Sequence, residues 1–271
     1  MKTGADIDLR RRPPVLLVTG VGLTAAVAMR TTDKLAEHFE VLTAPASTSA
    51  GLTGDVAAVP TPDQALALLD GGGVEQAHVI GLSFGGVIAQ ELAILHPQRV
   101  RSLVLCSSSA GGKLYVPPAS ATRHFIRRLD RLPIEEGLWA AVPYLYSPAT
   151  VRRNAPLIGQ DIARRLAAPL DPRSYNRQRA AARSHDAGPR LGAIAAPTLV
   201  VHGEQDRILP LENGRLLADH IAGARLLTLA TGGHAFPTDV PGASRELVSF
   251  LLAQSRRRPR RAARNARGAR A

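Results

Sequence analysis

The segment Gly81-Leu82-Ser83-Phe84-Gly85-Gly86 constrains this 271-residue chain more than any other feature. It follows a short apolar run, His78-Val79-Ile80, and opens a helix-like stretch from Gly85 to His96 that Pro97 closes. A G-x-S-x-G pattern between a strand and a helix sets its serine on a sharp, strained turn. The residues two positions to either side must lack a side chain, because the turn leaves no room for one. The strain lifts the serine Oγ to where a base and a substrate reach it. The helix N-terminus behind it favours developing negative charge. The bare pattern is common, so its place between strand and helix gives it meaning. The competing reading is a glycine-rich turn with a bystander serine.

The rest of the chain supplies the context. Val15 to Thr19, Phe39 to Thr43, His78 to Ile80, Leu103 to Cys106, Thr198 to His202 and Arg225 to Leu229 read as strands. They are continuous apolar runs rather than alternating ones, which suits parallel strands buried on both faces. Helix patterns separate them at 31–38, 63–70, 85–96, 211–221 and 244–253. Strand–helix–strand alternation implies right-handed crossovers and a doubly wound, mostly parallel sheet. From about Lys113 to Arg190 no strand pattern occurs, and helix-like pieces lie at 121–132, 134–141 and 158–167. The expected organisation is a core of 1–112 and 191–254, a helical lid of 113–190 inserted between core strands, and a tail of 255–271.

A serine hydroxyl is a poor nucleophile without a base, and the base needs an orienting acid. The run Thr198 to His202 is followed by Gly203-Glu204-Gln205-Asp206-Arg207-Ile208-Leu209-Pro210. This puts Asp206, and its competitor Glu204, in a loop at the C-terminal end of a strand, where sites in such sheets gather. Leu226 to Leu229 leads into Ala230-Thr231-Gly232-Gly233-His234-Ala235-Phe236. His234 therefore falls on the same edge of the sheet. The other core histidines, His78, His96, His202 and His220, lie in or beside core elements and read as structural or surface residues. His124 and His185 fall in the insertion, where substrate contact stays open. No His, Cys and Asp cluster has metal-ligand spacing, and neither G-x-G-x-x-G nor a P-loop occurs, so no metal or cofactor is expected.

The blocks GLSFGG, HGEQDRILP and GGHAF, in that order, resemble the signature blocks of the α/β-hydrolase superfamily. Their spacing, and Asn213-Gly214-Arg215, are similar to its 3-oxoadipate enol-lactonase-like branch. The resemblance covers roughly 14–112 and 191–254. It implies an α/β-hydrolase fold with Ser83 as nucleophile, His234 as general base and Asp206, rather than Glu204, as its orienter. It also implies an oxyanion hole from the main-chain N–H groups of Phe84 and Val21, the latter in Thr19-Gly20-Val21-Gly22. Thr19 stands where relatives usually carry histidine, but the donor is a backbone group. The loop Ala44 to Gly51 departs from the family's Asp-x-Arg-Gly-x-Gly turn, which bears on the pocket mouth and not on the triad.

A serine nucleophile argues against the epoxide hydrolases and haloalkane dehalogenases of this superfamily, which use aspartate. Hydrolysis of a small carboxylic ester or lactone is the expectation. A thioesterase, a carbon–carbon bond hydrolase and a cofactor-free perhydrolase use the same triad. A non-catalytic ligand-binding protein predicts a damaged triad, which the sequence does not show. Phe125, Trp139 and Tyr144 are the candidates for substrate binding, with Tyr146 and Phe84 beside them. Packing inside the lid is the competing use of these rings.

Composition bounds the partners. The net charge is +12, but the eight arginines between Ser255 and Ala271 leave only +4 for the rest. That tail has almost no apolar residue larger than Ala and reads as disordered. Such a tail attracts anionic surfaces non-specifically, and no specific nucleic-acid partner is expected. Cys106 is the single cysteine and sits in a strand pattern, so no internal disulfide forms and an oxidising compartment is not required. Arg10-Arg11-Arg12 before the apolar run from Val15 imitates a secretory signal. Gly20, Gly22 and Thr24 interrupt that run, and the run has a place in the sheet, so a cytoplasmic protein is expected. No run reaches the length of a membrane span.

Overall fold

The computed structural model describes residues 12–20, 29–44, 61–129, 131–167 and 172–256. Six strands form one sheet: β1 (Pro14–Val18), β2 (Glu40–Ala44), β3 (Ala77–Leu82), β4 (Val100–Cys106), β5 (Thr198–Gly203) and β6 (Arg225–Leu229). Their spatial order is β2-β1-β3-β4-β5-β6, and every neighbouring pair is parallel. The crossovers are helical: α1 (Met29–Ala36), α2 (Pro62–Gly71) and α3 (Phe84–Leu95) join the first four strands. Val15 to Val18, the start of the run that imitates a signal, lies inside the sheet between β2 and β3.

Side chains alternate across each strand, so a strand covered on both faces needs apolar residues throughout. Leu16, Val18, Val79, Leu103, Leu105 and Val200 face one way, toward α2, α3 and a later helix. Val15, Leu17, Ile80, Val104, Cys106 and Val201 face the other way, toward α1 and the C-terminal helix. Both sets are completely buried. Burial pushes the Cys106 thiol far above its usual range, which leaves it an inert core residue.

Between β4 and β5 the chain folds into α4 (Ser120–Leu129), α5 (Ile134–Leu145), α6 (Pro148–Arg153), α7 (Ala155–Ala167) and α8 (Pro172–Ser184). Helices α5, α6 and α7 share a small core of their own, built on Val142, Tyr146, Ile158 and Ile162. The two chain segments at the base of this insertion are zipped together. Gly112 N donates to His185 O at 3.0 Å and Ala187 N to Ala110 O at 2.9 Å. Gly111 has φ +71°, and a Cβ there would meet His185 O at 2.0 Å, so only glycine fits.

After β5 come α9 (Leu211–His220), β6, the short α10 (Phe236–Asp239) and α11 (Ala243–Ser255). The last helix corrects one expectation. Ser255 is not part of a disordered tail. Its hydroxyl bonds to His78 at 2.8 Å and to Leu251 O at 2.9 Å, and its carbonyl accepts from Arg101 at 2.8 Å. These bonds give it a fixed place that the apolar content of the segment does not reveal. Residues 257–271, which hold seven of the tail's eight arginines, lie outside the described residues.

Candidate active site

Ser83 stands between the end of β3 and the first residue of α3, with φ +53° and ψ −116°. Three contacts hold this strained backbone. Ser83 N donates to Cys106 O at 2.8 Å, while Ser83 O accepts from Gly86 N at 2.9 Å and from Ser108 Oγ at 2.8 Å. The glycines are obligatory for spatial reasons. A Cβ on Gly81 would meet Gly85 O at 2.5 Å, and one on Gly85 would meet Val18 O at 2.1 Å. The helix is thereby pressed onto the ends of β1 and β3, and Ser83 is left at the turn.

Asp206 follows β5 in a tight loop and is buried. Its Oδ1 accepts N–H bonds from Ile208 and Leu209, both at 2.9 Å, and its Oδ2 lies 2.8 Å from His234 Nδ1. Burial disfavours the charge, but His234 and His202, through charge and hydrogen bonding, outweigh it and hold the carboxyl below its usual range. Nδ1 of His234 carries the proton, since an ionised carboxylate only accepts. Nε2 is then the acceptor, and it lies 3.0 Å from Ser83 Oγ. Ser83, His234 and Asp206 thus form one uninterrupted hydrogen-bonded relay at the C-terminal edge of the sheet.

The loops carrying the acid and the histidine are packed backbone to backbone. Gln205 N donates to Gly232 O at 2.9 Å and Glu204 N to Leu229 O at 3.0 Å. A Cβ on Gly203 would meet Gly232 O at 2.2 Å. Glu204 is exposed while Asp206 is buried against the histidine. His202 is fully buried, donates from Nε2 to Leu209 O at 2.8 Å and stands 3.5 Å from Asp206 Oδ2. It braces the loop that holds the acid, a contribution its place in a strand pattern does not announce. Gly214 leaves room for that ring, since a Cβ there would come within 2.6 Å of His202 Nδ1. Asn213 bonds both main-chain groups of Val116, at 3.0 and 2.8 Å, and so ties the start of the insertion to α9.

The remaining site candidates separate. Phe84 N belongs to the first residue of α3, a position with no carbonyl four residues back in the helix to accept it, and it follows Ser83 directly. Val21 lies outside the described residues. Phe125 and Tyr144 stack on one another, centroids 3.9 Å apart and planes 6° apart. The Arg207 guanidinium lies 5.0 Å from the Tyr144 centroid and donates to Pro143 O at 3.2 Å. Trp139 is 49% exposed on α5. Tyr146 is buried and donates its hydroxyl to Asp161 at 3.2 Å, which makes it part of the insertion's own core. His185 stands 3.4 Å from Glu91 and is likewise buried. Among the described residues no group of three His, Cys, Asp or Glu could hold a metal ion, and no helix is long and apolar enough to cross a membrane.

A parallel sheet with helices on both faces, a G-x-S-x-G turn after its central strand and a hydrogen-bonded Ser–His–Asp set at the strand ends define the α/β-hydrolase fold. The family model for the alpha/beta hydrolase fold matches residues 13–133, and one described as TAP-like protein matches 157–262. A 2-hydroxymuconate semialdehyde hydrolase of Pseudomonas sp. (strain CF600) is 33% identical over 210 residues, 71% of this chain and 68% of that protein. A putative carbamate hydrolase RutD of Azorhizobium caulinodans is 27% identical over 254 residues, 90% of this chain and 95% of that one. The enol-lactonase from Burkholderia xenovorans LB400 superposes with a TM-score of 0.74 at 22% identity, over 89% of this chain and 92% of that one, a likeness of fold alone. The chain belongs to the α/β-hydrolase superfamily and is a hydrolase of that fold.

Proposed function

We propose that this hydrolase cleaves a carboxylic ester or lactone of a small molecule through an acyl-enzyme on Ser83. The observation that carries this reading is the relay from Ser83 Oγ to His234 Nε2 at 3.0 Å and from His234 Nδ1 to Asp206 at 2.8 Å. In acylation Ser83 Oγ attacks the carbonyl carbon and its proton passes to Nε2. Asp206 fixes the tautomer and stabilises the imidazolium so formed. The carbonyl oxygen becomes an oxyanion, received by the N–H of Phe84 and, as the sequence motif implies, that of Val21. His234 then protonates the leaving alkoxide. Water repeats the sequence against the acyl-enzyme and releases the acid. The relay accounts for this chemistry without a cofactor. Phe125, Tyr144 and Trp139 would contact substrate from the insertion.

A second reading has one specific support. The 33%-identical relative is named a 2-hydroxymuconate semialdehyde hydrolase, and a substrate of that kind, which carries neither an ester nor a lactone in its name, fits cleavage of a carbon–carbon bond. The same relay serves that reaction if the leaving carbon is protonated.

Labelling with a fluorophosphonate, wild type against Ser83→Ala, tests the mechanism. Turnover of a p-nitrophenyl ester, a γ-lactone and a 2-hydroxy-6-oxo-dienoate tests the substrate class. Labelling that is lost in the variant, with turnover of ester or lactone, is expected. Turnover of the dienoate alone would replace the ester reading by the carbon–carbon one. A folded wild type that takes no label would overturn the catalytic assignment.

A further inference from the structure

The loop bearing His234 is fastened to the insertion on both sides of the histidine. Gly233 N donates to Asp239 Oδ2 at 2.6 Å, and Ser147 N, at the joint of α5 and α6, donates to Asp239 Oδ1 at 3.0 Å. Ala235 N donates to Leu145 O at 2.8 Å, and the Ala235 side chain packs against the insertion's core. Thr238, next in the same turn, donates to the buried Asp161 of α7 at 2.7 Å. Gly233 has no room for a side chain, since a Cβ would meet Leu145 O at 2.8 Å and Ser147 N at 3.0 Å. One carboxylate, Asp239, therefore spends one oxygen on the residue before His234 and the other on the lid.

We infer that Asp239 is a positioning residue that couples seating of the lid to the placement of His234. The inference rests on the reading of Ser83, His234 and Asp206 as the catalytic relay. Its physical basis is geometric. A base must stay within hydrogen-bond reach of its nucleophile, and a displacement of about 1 Å costs on the order of 10²-fold in rate. The main chain on both sides of His234 takes its position from α5 and α6. If the insertion lifts at that joint, the Asp239 bridge transmits the movement to the imidazole. The lid then acts as part of the base's mounting as well as a cover.

Two pairs of variants test this. Asp239→Asn retains size but offers one acceptor oxygen for two N–H donors, whereas Asp239→Glu retains two acceptors. Ser147→Pro removes the N–H that reaches Asp239. The backbone admits proline there, with Ser147 at φ −66° and Tyr146 at ψ 155°. Ser147→Ala removes only the hydroxyl that caps α6 and is the reference for it. Three quantities are read: kcat against KM for an ester, the second-order rate of fluorophosphonate labelling, and the low-field proton resonance of His234 Nδ1 in the full chain. Asp239→Asn is expected to lower kcat and the labelling rate at least 10-fold with little change in KM, and to broaden or shift that resonance. Asp239→Glu should recover part of each. Ser147→Pro should fall at least 5-fold below Ser147→Ala. Unchanged kcat and resonance in Asp239→Asn would overturn the inference. So would losses that merely track a lowered melting temperature while the resonance stays in place. The resonance reports on the coupling without turnover, so failure of the catalytic reading itself would show as an unlabelled wild type whose resonance still responds to Asp239→Asn.

Discussion

The hydroxyl of Ser108 donates to the main-chain carbonyl of Ser83 at 2.8 Å, and Gly86 lies directly beneath that contact. A Cβ on Gly86 would fall 2.3 Å from Ser108 Oγ and 2.5 Å from its Cβ. The second glycine after Ser83 therefore makes room for the residue that secures its carbonyl. Ser108→Ala removes one of two hydrogen bonds to a strained carbonyl. It should cost about 1 kcal/mol, a melting shift of roughly 2–4 °C, and lower kcat several-fold. Gly86→Ala should be far more damaging. The double variant Gly86→Ala with Ser108→Gly, which clears both close atoms, should melt higher than Gly86→Ala alone. A double variant that melts no higher would mean the crowding lies elsewhere.

Asp206→Asn separates charge from shape. The amide oxygen still accepts from Ile208 and Leu209, so the loop keeps its form. The amide nitrogen then faces His234 Nδ1 and favours the tautomer that places the proton on Nε2, where it no longer accepts from Ser83. Ester turnover should fall by about 10³–10⁴ with the fold intact, measured by initial rates beside circular dichroism. Retention of more than about a tenth of the activity would indicate that another carboxylate, with Glu204 the nearest in sequence, serves as the acid.

The sheet and the relay were legible because each rests on a local rule. Continuous apolar runs mark strands covered on both faces, and the glycines around Ser83 mark a turn where backbone meets backbone. What the sequence concealed is held by contacts between distant segments. His202 reads as one more polar residue in a strand, yet it braces Asp206. Asp239 lies five residues after His234 with no motif of its own, and its two bonds reach a loop and a lid that are far apart in sequence. Helix α8 carries no apolar stripe. It contributes Gln178 and small alanines to the packing, so hydrophobic periodicity gives no signal there. Ser147-Pro148 did carry a signal for α6, an N-cap followed by a first-turn proline, in a helix too short to show a period.

The rings of Phe125 and Tyr144 spend one face on each other, so their effect on stability should be shared. Phe125→Ala and Tyr144→Ala are expected to be non-additive, with a coupling of about 0.5–1.5 kcal/mol in urea unfolding. Trp139, half exposed, should lose less than about 1 kcal/mol on truncation to Ala. If Trp139 contacts substrate as proposed, Trp139→Ala raises KM for an aryl ester while lowering the melting temperature by no more than about 4 °C. An unchanged KM would remove it from the pocket.

Acid should weaken the fold through His78, far from the relay. The ring is fully buried between Ser102 Oγ at 2.7 Å and Ser255 Oγ at 2.8 Å. Ser255 gives its own proton to Leu251 O, so it accepts from Nε2, and Ser102 donates to Nδ1. The neutral ring satisfies both partners. Burial, reinforced by the charge of Arg101, pushes His78 down from 6.5 to about 3. Between those values the unfolded chain binds a proton that the folded chain refuses, so stability rises with pH across that window. The contribution is complete above about pH 6.5 and is lost as pH falls toward 3, at up to ~1.4 kcal/mol per pH unit. His78→Gln keeps one acceptor and one donor but does not titrate. Urea unfolding at pH 7.5, 6 and 5 should give a shallower loss of stability in the variant than in the wild type. Equal slopes would assign the acid sensitivity to another group.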